Sequence, residues 1–244
     1  MRFSVFISDL HLASERPRIV EQFFALLAGP VQGAEALYVL GDLFEFWVGD
    51  DDLDDPLNSA VAEAFAQTAA RGTAVHFMHG NRDLLVGAEF AKRAHARLLE
   101  DPTLVDLHGT PTLLMHGDTL CTDDTEYQKF RAYAHDPGNQ ARFLGQPVAA
   151  RRAQVQAMRV KSESAKKGKT DEIMDVSEPA VLETLRKAGY APRVIHGHTH
   201  RPARHVHRVD GHDCERWVLG DWYENGSYLR CDAQGCVSHV LAST

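Results

Sequence analysis

Apolar positions along the chain gather into short runs, each followed by a polar, glycine-containing tail. Residues 3–7, 37–40, 74–78, 112–115 and 194–195 are β-branched or aromatic runs of the length expected for buried strands. Between the first three runs, residues 19–27 and 59–70 repeat apolar side chains three and four apart, the period of a helix with one buried face. Strand and helix in alternation predict an α/β fold built in layers, with right-handed crossovers between parallel strands. Beyond Pro202 the runs shorten to 217–219, 228–231 and 237–241, separated by Gly and Asp, which reads as closing antiparallel strands. From 124 to 176 there is no strand pattern, and residues 147–169 read as a polar helix rich in Arg and Lys. The expected organisation is one main domain, residues 1–123 and 177–244, carrying a helical insertion, 124–176, as a cap. No internal repeat or low-complexity linker interrupts it.

Composition narrows the class. At 244 residues and 44% hydrophobic content the chain can build a full core, and 18 Gly and 10 Pro without period exclude a fibrous or low-complexity protein. A formal charge of −8 argues against broad electrostatic binding to nucleic acid. The exception is local: Arg151, Arg152, Arg159, Lys161, Lys166, Lys167 and Lys169 are opposed only by Glu163, so positive charge concentrates in the insertion and acidity in the body. The longest stretch without charged side chains, residues 22–34, is short of the roughly 20 apolar residues of a membrane span. Only one basic residue and a short apolar run precede Asp9, too little for a secretory leader, so a cytoplasmic location is expected. Cys121, Cys214, Cys231 and Cys236 form no CxxC pair, and reduced thiols are the preferred reading.

The tails behind the strands carry the chemistry. Run 3–7 leads into Ser8-Asp9-Leu10-His11, 37–40 into Gly41-Asp42, and 74–78 into His79-Gly80-Asn81-Arg82-Asp83. Run 112–115 leads into His116-Gly117-Asp118, and 194–195 into His196-Gly197-His198-Thr199-His200. Ligand crevices of open α/β sheets lie at the carboxyl ends of the strands, so these tails are expected to converge. Imidazole, carboxylate and one amide oxygen without thiolate suit divalent ions such as Mn²⁺, Fe²⁺ or Zn²⁺. Seven such side chains exceed the needs of one tetrahedral ion and suggest two ions sharing a carboxylate. Glycines 41, 80, 117 and 197 fit turns in which backbone comes close to the ions or a phosphate. Each block alone has a bland explanation, a capping Asp or a solvated His loop. All five, in order behind apolar runs, are hard to obtain by chance.

Asp9-x-His11, Gly41-Asp42, Gly80-Asn81-Arg82-Asp83, His116 and Gly197-His198-x-His200 resemble the five-block signature of calcineurin-like metallophosphoesterases. The resemblance implies a four-layer α/β/β/α sandwich and two divalent ions, with Mn²⁺ the expected identity. It implies that Asp9, His11 and His200 bind one ion, that Asn81, His116 and His198 bind the other, and that Asp42 bridges them. Asp42, Asn81 and Arg82 are the implied catalytic residues. The longer blocks, residues 41–45 with 49–52, 116–124 and 196–202, resemble a branch of the family acting on a UDP-linked diacylated glucosamine in lipid A synthesis. That branch implies a hydroxide, activated by the two metals, attacking the α-phosphorus, and a peripheral location on the anionic cytoplasmic face of the inner membrane; from the chain's acidity no nucleic-acid partner is expected, and no obligate protein partner is evident. It places Asn81, Arg82, Asp124, Arg159, Ser162, Lys166, Lys169 and His198 at the substrate.

Arg82 stands where many family members have a His that protonates an alkoxide leaving group. Arginine stays charged near neutral pH but can hold a phosphate, so the sequence predicts a substrate whose leaving group is already good, such as a pyrophosphate. A salt bridge from Arg82 to Asp83 is the structural alternative, and helix capping is the alternative for Asp123 or Asp124. His79 and His196 are expected in turns or beside the ligands. Within the insertion, Phe130, Tyr133, Phe143, Leu144, Val148 and Met158 offer apolar bulk beside the polar residues 136–140. Competing readings are a nucleotide phosphodiesterase on the same core and a metal-free scaffold.

Overall fold

The computed structural model describes residues 2–166 and 175–241, with side chains outside 160–166. Two sheets lie face to face. The first has parallel strands β1 (Phe3–Ile7), β2 (Ala36–Leu40), β3 (Ala74–Met78) and β4 (Ala96–Leu99), extended beyond β1 by antiparallel β10 (Ser227–Asp232) and β11 (Gly235–Val240). The second runs in the order β5 (Thr103–Leu107), β6 (Thr110–Leu114), β7 (Arg193–His196), β9 (His212–Val218) and β8 (Ala203–Val209), with β6, β7 and β9 parallel.

Three apolar clusters show the layering. Val5, Ile7, Leu37, Val39, Val75 and Phe77 pack with Phe23, Leu26, Phe65 and Phe90 of helices α1 (Pro17–Ala28), α2 (Pro56–Ala70) and α3 (Ala88–Arg93). The alternate residues Phe6, Tyr38, Leu40 and Met78 meet Leu107, Leu114, Ile195 and Leu219 between the sheets. Leu113, Met115 and Val194 on the far face of the second sheet pack with Val181 and Leu185 of α7 (Glu178–Lys187). The order is α/β/β/α, as the resemblance implied. A strand buried on both faces needs no polar alternation, which is why β1 and β2 are continuous apolar runs, buried at every position. β4, β5 and β8 leave no apolar run in the sequence because their residues are largely half-exposed or exposed; β8 is held by pairing with β9.

The stretch read as an insertion holds α4 (Thr125–Ala134), α5 (Pro137–Leu144) and α6 (Val148–Lys166). Its two ends meet: the Ser177 amide donates to the Leu120 carbonyl at 2.9 Å, and the Thr122 and Ser177 hydroxyls lie 2.6 Å apart. Cys231 and Cys236, opposed across β10 and β11, are joined by a disulfide, which corrects the expectation of four reduced thiols; Cys121 and Cys214 are buried thiols.

Candidate active site

Strands β1, β2 and β3 of one sheet and β6 and β7 of the other end at a common edge, and their tails continue the pairing beyond the sheets. The amides of Asp9 and His11 donate to the carbonyls of Gly41 and Asp42 at 3.1 and 3.0 Å, and that of Gly197 to the His116 carbonyl at 2.8 Å. Five of the seven expected ligands, Asp9, His11, Asp42, His198 and His200, have φ between 50° and 69°. Non-glycine residues rarely occupy this left-handed region, and strain of this kind concentrates at functional sites. Close approach accounts for two glycines here. A Cβ on Gly41 would lie 2.5 Å from His116 Nδ1, and one on Gly80 would collide with the Asp42 carboxylate.

The ligand atoms gather. Asp9, His11 and His200 present atoms within 4.8 Å of one another, as do Asp9, Asp42 and His116. Asp42 Oδ2 lies 3.9 Å from His11 Nε2, and Asp42 Oδ1 lies 3.9 Å from His116 Nε2, so this carboxylate faces both halves of the site. Asn81 Oδ1 is 3.2 Å from His116 Nε2 and 3.0 Å from His198 Nδ1. The His116 Nδ1 hydrogen is donated to the Leu40 carbonyl at 2.9 Å, which turns Nε2 inward. Asp9 uses Oδ2 to accept from the Ser8 hydroxyl at 2.6 Å and the His198 amide at 2.8 Å. Its Oδ1 and both ring nitrogens of His11 are buried with no hydrogen-bond partner among the described residues. Such groups are costly to bury unpaired, and a divalent cation satisfies a carboxylate oxygen and an imidazole nitrogen together, so the donor set fits metal.

Electrostatics point the same way. Burial pushes Asp42 up to about 7, with the carboxylates of Asp83 and Asp9 adding to the shift against His116. Burial opposes the charge on His116, but Asp42, Asp118 and Asp9 overcome it and raise the imidazole to about 9. Burial and the neighbouring His116 push His198 down to about 3. Burial would raise Asp9, yet the charge of His200, whose Nε2 lies 3.4 Å from Asp9 Oδ1, holds it well below the usual carboxylate range.

Several supporting residues were not read from the sequence as functional. Glu45, buried, lies 3.3 Å from Arg82 Nη1 and 3.0 Å from Arg159 Nε through one oxygen, while the other faces His11 Nδ1 at 3.8 Å. Its position three residues after Asp42 was the available signal. Arg82 therefore pairs with Glu45. Asp83, its expected structural partner, instead collects the amides of Gly80, Leu43, Asp42 and Phe44 at 2.8–3.4 Å. Buried Asp118 accepts from Tyr127 Oη and Arg131 Nε, both at 2.7 Å, bringing α4 to the site, where the Tyr127 ring lies 5.5 Å from that of His198. Asp221 Oδ2 lies 3.6 Å from His200 Nδ1, and no sequence signal marked it.

Asp124 caps α4 by accepting from the Tyr127 amide at 3.1 Å, as the structural alternative expects. The expected phosphate-seeking patch is smaller than its count of basic residues. Buried Arg151 donates to the Val48 carbonyl and pairs with Asp51, and Arg152 pairs with Asp52 and Asp55, so both fasten α6 to the segment after β2. Ser162 and Lys166 fall in α6 with side chains outside the described residues, and Lys169 lies wholly outside them.

A family model of calcineurin-like phosphoesterases matches residues 4–202, spanning all five blocks. The chain belongs to the calcineurin-like phosphoesterase family. Within this family it is 53% identical over 232 residues to the UDP-2,3-diacylglucosamine hydrolase of Aromatoleum aromaticum, covering 95% of this chain and 94% of that protein. It is 51% identical over 246 residues to the protein of the same name from Xanthomonas campestris pv. campestris strain B100, covering 98% and 99%. Among solved structures, a hypothetical protein of Pyrococcus horikoshii OT3 superposes with a TM-score of 0.50 at 10% identity, over 100% of this chain and 89% of that one, a likeness of fold alone. As a phosphoesterase of this family the chain is a hydrolase that uses divalent metal ions, and its five signature blocks are the strand tails that meet at the common sheet edge.

Proposed function

We propose that this enzyme hydrolyses the pyrophosphate bond of UDP-2,3-diacylglucosamine by attack of water on the α-phosphorus, releasing UMP and the diacylated glucosamine 1-phosphate. The observation that carries the reading is the cluster of Asp9, His11, Asp42, His116 and His200, joined by Asn81 and His198 and holding buried polar atoms without hydrogen bonds, in a chain 53% identical to a hydrolase of that name. Asp9, His11 and His200 would hold one ion and Asn81, His116 and His198 the other, with Asp42 between them. When bound, two divalent cations, Mn²⁺ in this reading, supply Lewis acidity that activates water near neutral pH and neutralises phosphate oxygens.

The chain's own residues supply the rest. Arg82 and Arg159 converge on Glu45, where their guanidinium groups are ready to hold diphosphate oxygens bidentately. Arginine donates no proton to a leaving group near neutral pH, so the site suits a leaving phosphate over an alkoxide. Residues 124–176 act as a cap in this reading, with Ser162, Lys166 and Lys169 contacting the sugar and its phosphate. Phe130, Tyr133, Leu144 and Met158, 40–58% exposed on the cap helices, support a lipid-facing cap and peripheral association with an anionic inner-membrane surface. Among the described residues no helix is long and apolar enough to cross a membrane.

The test compares substrates on purified, Mn²⁺-supplied protein. Turnover of the UDP-linked diacyl sugar is expected to exceed that of cyclic nucleotides and alkyl phosphate monoesters at least a hundredfold. His116→Ala is expected to stay folded and lose nearly all turnover. Comparable rates on all three substrates would overturn the reading.

A further inference from the structure

The proposed reaction divides its substrate at the diphosphate: one half is a lipid, the other a nucleoside whose base stands one ribose away from the attacked phosphorus. Among the described aromatic residues, Tyr127 and Tyr223 have rings against the ligand histidines. Tyr127 belongs to the cap, and its hydroxyl is tied to Asp118. Tyr223 stands on the segment after β9, with its ring 5.7 Å from that of His11 at an interplanar angle of 11° and 5.4 Å from that of His200.

Tyr223 is 53% exposed, yet the backbone beside it is hydrogen-bonded to the site. The next residue back, Trp222, is fully buried, and its amide donates to the Asp9 carbonyl at 3.2 Å. The Tyr223 amide donates to Asp221 Oδ1 at 3.0 Å. The Arg16 guanidinium lies 5.2 Å from the Tyr223 ring centroid and donates to the carbonyls of Leu10, His11 and Trp222 at 2.7–3.2 Å. An exposed aromatic held in place before its ligand arrives loses little freedom on stacking, and bases stack on such side chains irrespective of sequence.

We infer that Tyr223 is the platform on which the nucleobase of the substrate stacks, a base-binding subsite beside His11 and His200. The inference rests on the proposed function. It predicts that the base adds affinity through Tyr223, while the phosphate and ribose bind without it.

The experiment measures inhibition constants for UMP and ribose 5-phosphate on Mn²⁺-loaded protein, with folding checked by thermal melting. Tyr223→Leu is expected to raise the UMP constant about tenfold and to move the ribose 5-phosphate constant less than twofold; Tyr223→Phe, which keeps the ring, is expected to retain the wild-type ratio. An unmoved UMP constant in Tyr223→Leu would overturn the inference. So would equal losses for both ligands, which would mean that the ring only props up His11 and His200, or a base-selective loss in Tyr127→Leu with none in Tyr223→Leu. Wild-type turnover of the UDP-linked lipid is measured alongside. Its absence overturns the proposed function, whereas turnover with an unmoved UMP constant overturns the base platform alone.

Discussion

Asp83 shows how one side chain holds two blocks of the site in register. Its carboxylate, fully buried, accepts four backbone amides, one from the turn after β3 and three from the turn after β2. Burial raises its pKa in spite of those donors. Asp83→Ala leaves all four amides without their acceptor, and each unsatisfied buried group costs about 1–3 kcal/mol. We expect a loss of at least about 3 kcal/mol by urea denaturation, and a smaller one for Asp83→Asn, which keeps an oxygen; a loss under about 1 kcal/mol for the alanine would show that water replaces the carboxylate. Side chains that hold others were hard to read in the sequence. Asp42 and His116 announce themselves by residue type behind an apolar run. Glu45 and Asp118 acquire their meaning from Arg82, Arg159, Tyr127 and Arg131, which the chain delivers from up to 114 positions away.

Helix α6 is tied to the segment after β2 by a few polar contacts. Arg151 is 1% exposed, and it reaches across to the Val48 carbonyl and Asp51. Gly49 makes room for it: φ there is +132°, and a Cβ would meet the Arg151 guanidinium and Leu144. Arg151→Met leaves that carbonyl and carboxylate without their donor, removing charge-assisted hydrogen bonds worth about 1.5–3 kcal/mol each. Limited proteolysis is expected to cut the variant between residues 124 and 176 at least tenfold faster than wild type while sparing the body; identical cleavage rates would mean that α6 is held by other contacts. The seven basic side chains of this region suggest one phosphate-seeking patch because charge can be counted along a chain. Pairing cannot, and Asp51, Asp52 and Asp55 bind two of the seven from about 100 positions away.

For the whole molecule, the sign of the metal-binding pH dependence follows from the raised groups. In the site without ions, Asp42 near 7 and His116 near 9 both carry protons at pH 6 that a cation must displace. Apparent affinity for Mn²⁺ should therefore rise with pH, about tenfold per unit between pH 7 and 9 and more steeply below 7. Calorimetry in buffers of different ionisation enthalpy measures the released protons directly, and affinity independent of pH from 6 to 9 would contradict the prediction. Stabilisation by the ions, which grows with the logarithm of metal concentration over the dissociation constant, should shrink in parallel as pH falls. The sequence by itself determined the strands behind the five blocks and the family, and it named the candidate ligands, because a buried strand must be apolar along its length and a metal shell admits few side-chain types. Tertiary structure alone decided that β1, β2 and β3 belong to one sheet and β6 and β7 to another, and that Cys231 meets Cys236. It also decided that Arg151 and Arg152 are fastenings, and that Tyr223 stands open beside His11 and His200. Apolar periodicity records that a residue is buried, but the partner it meets across a fold depends on distances that no local pattern encodes.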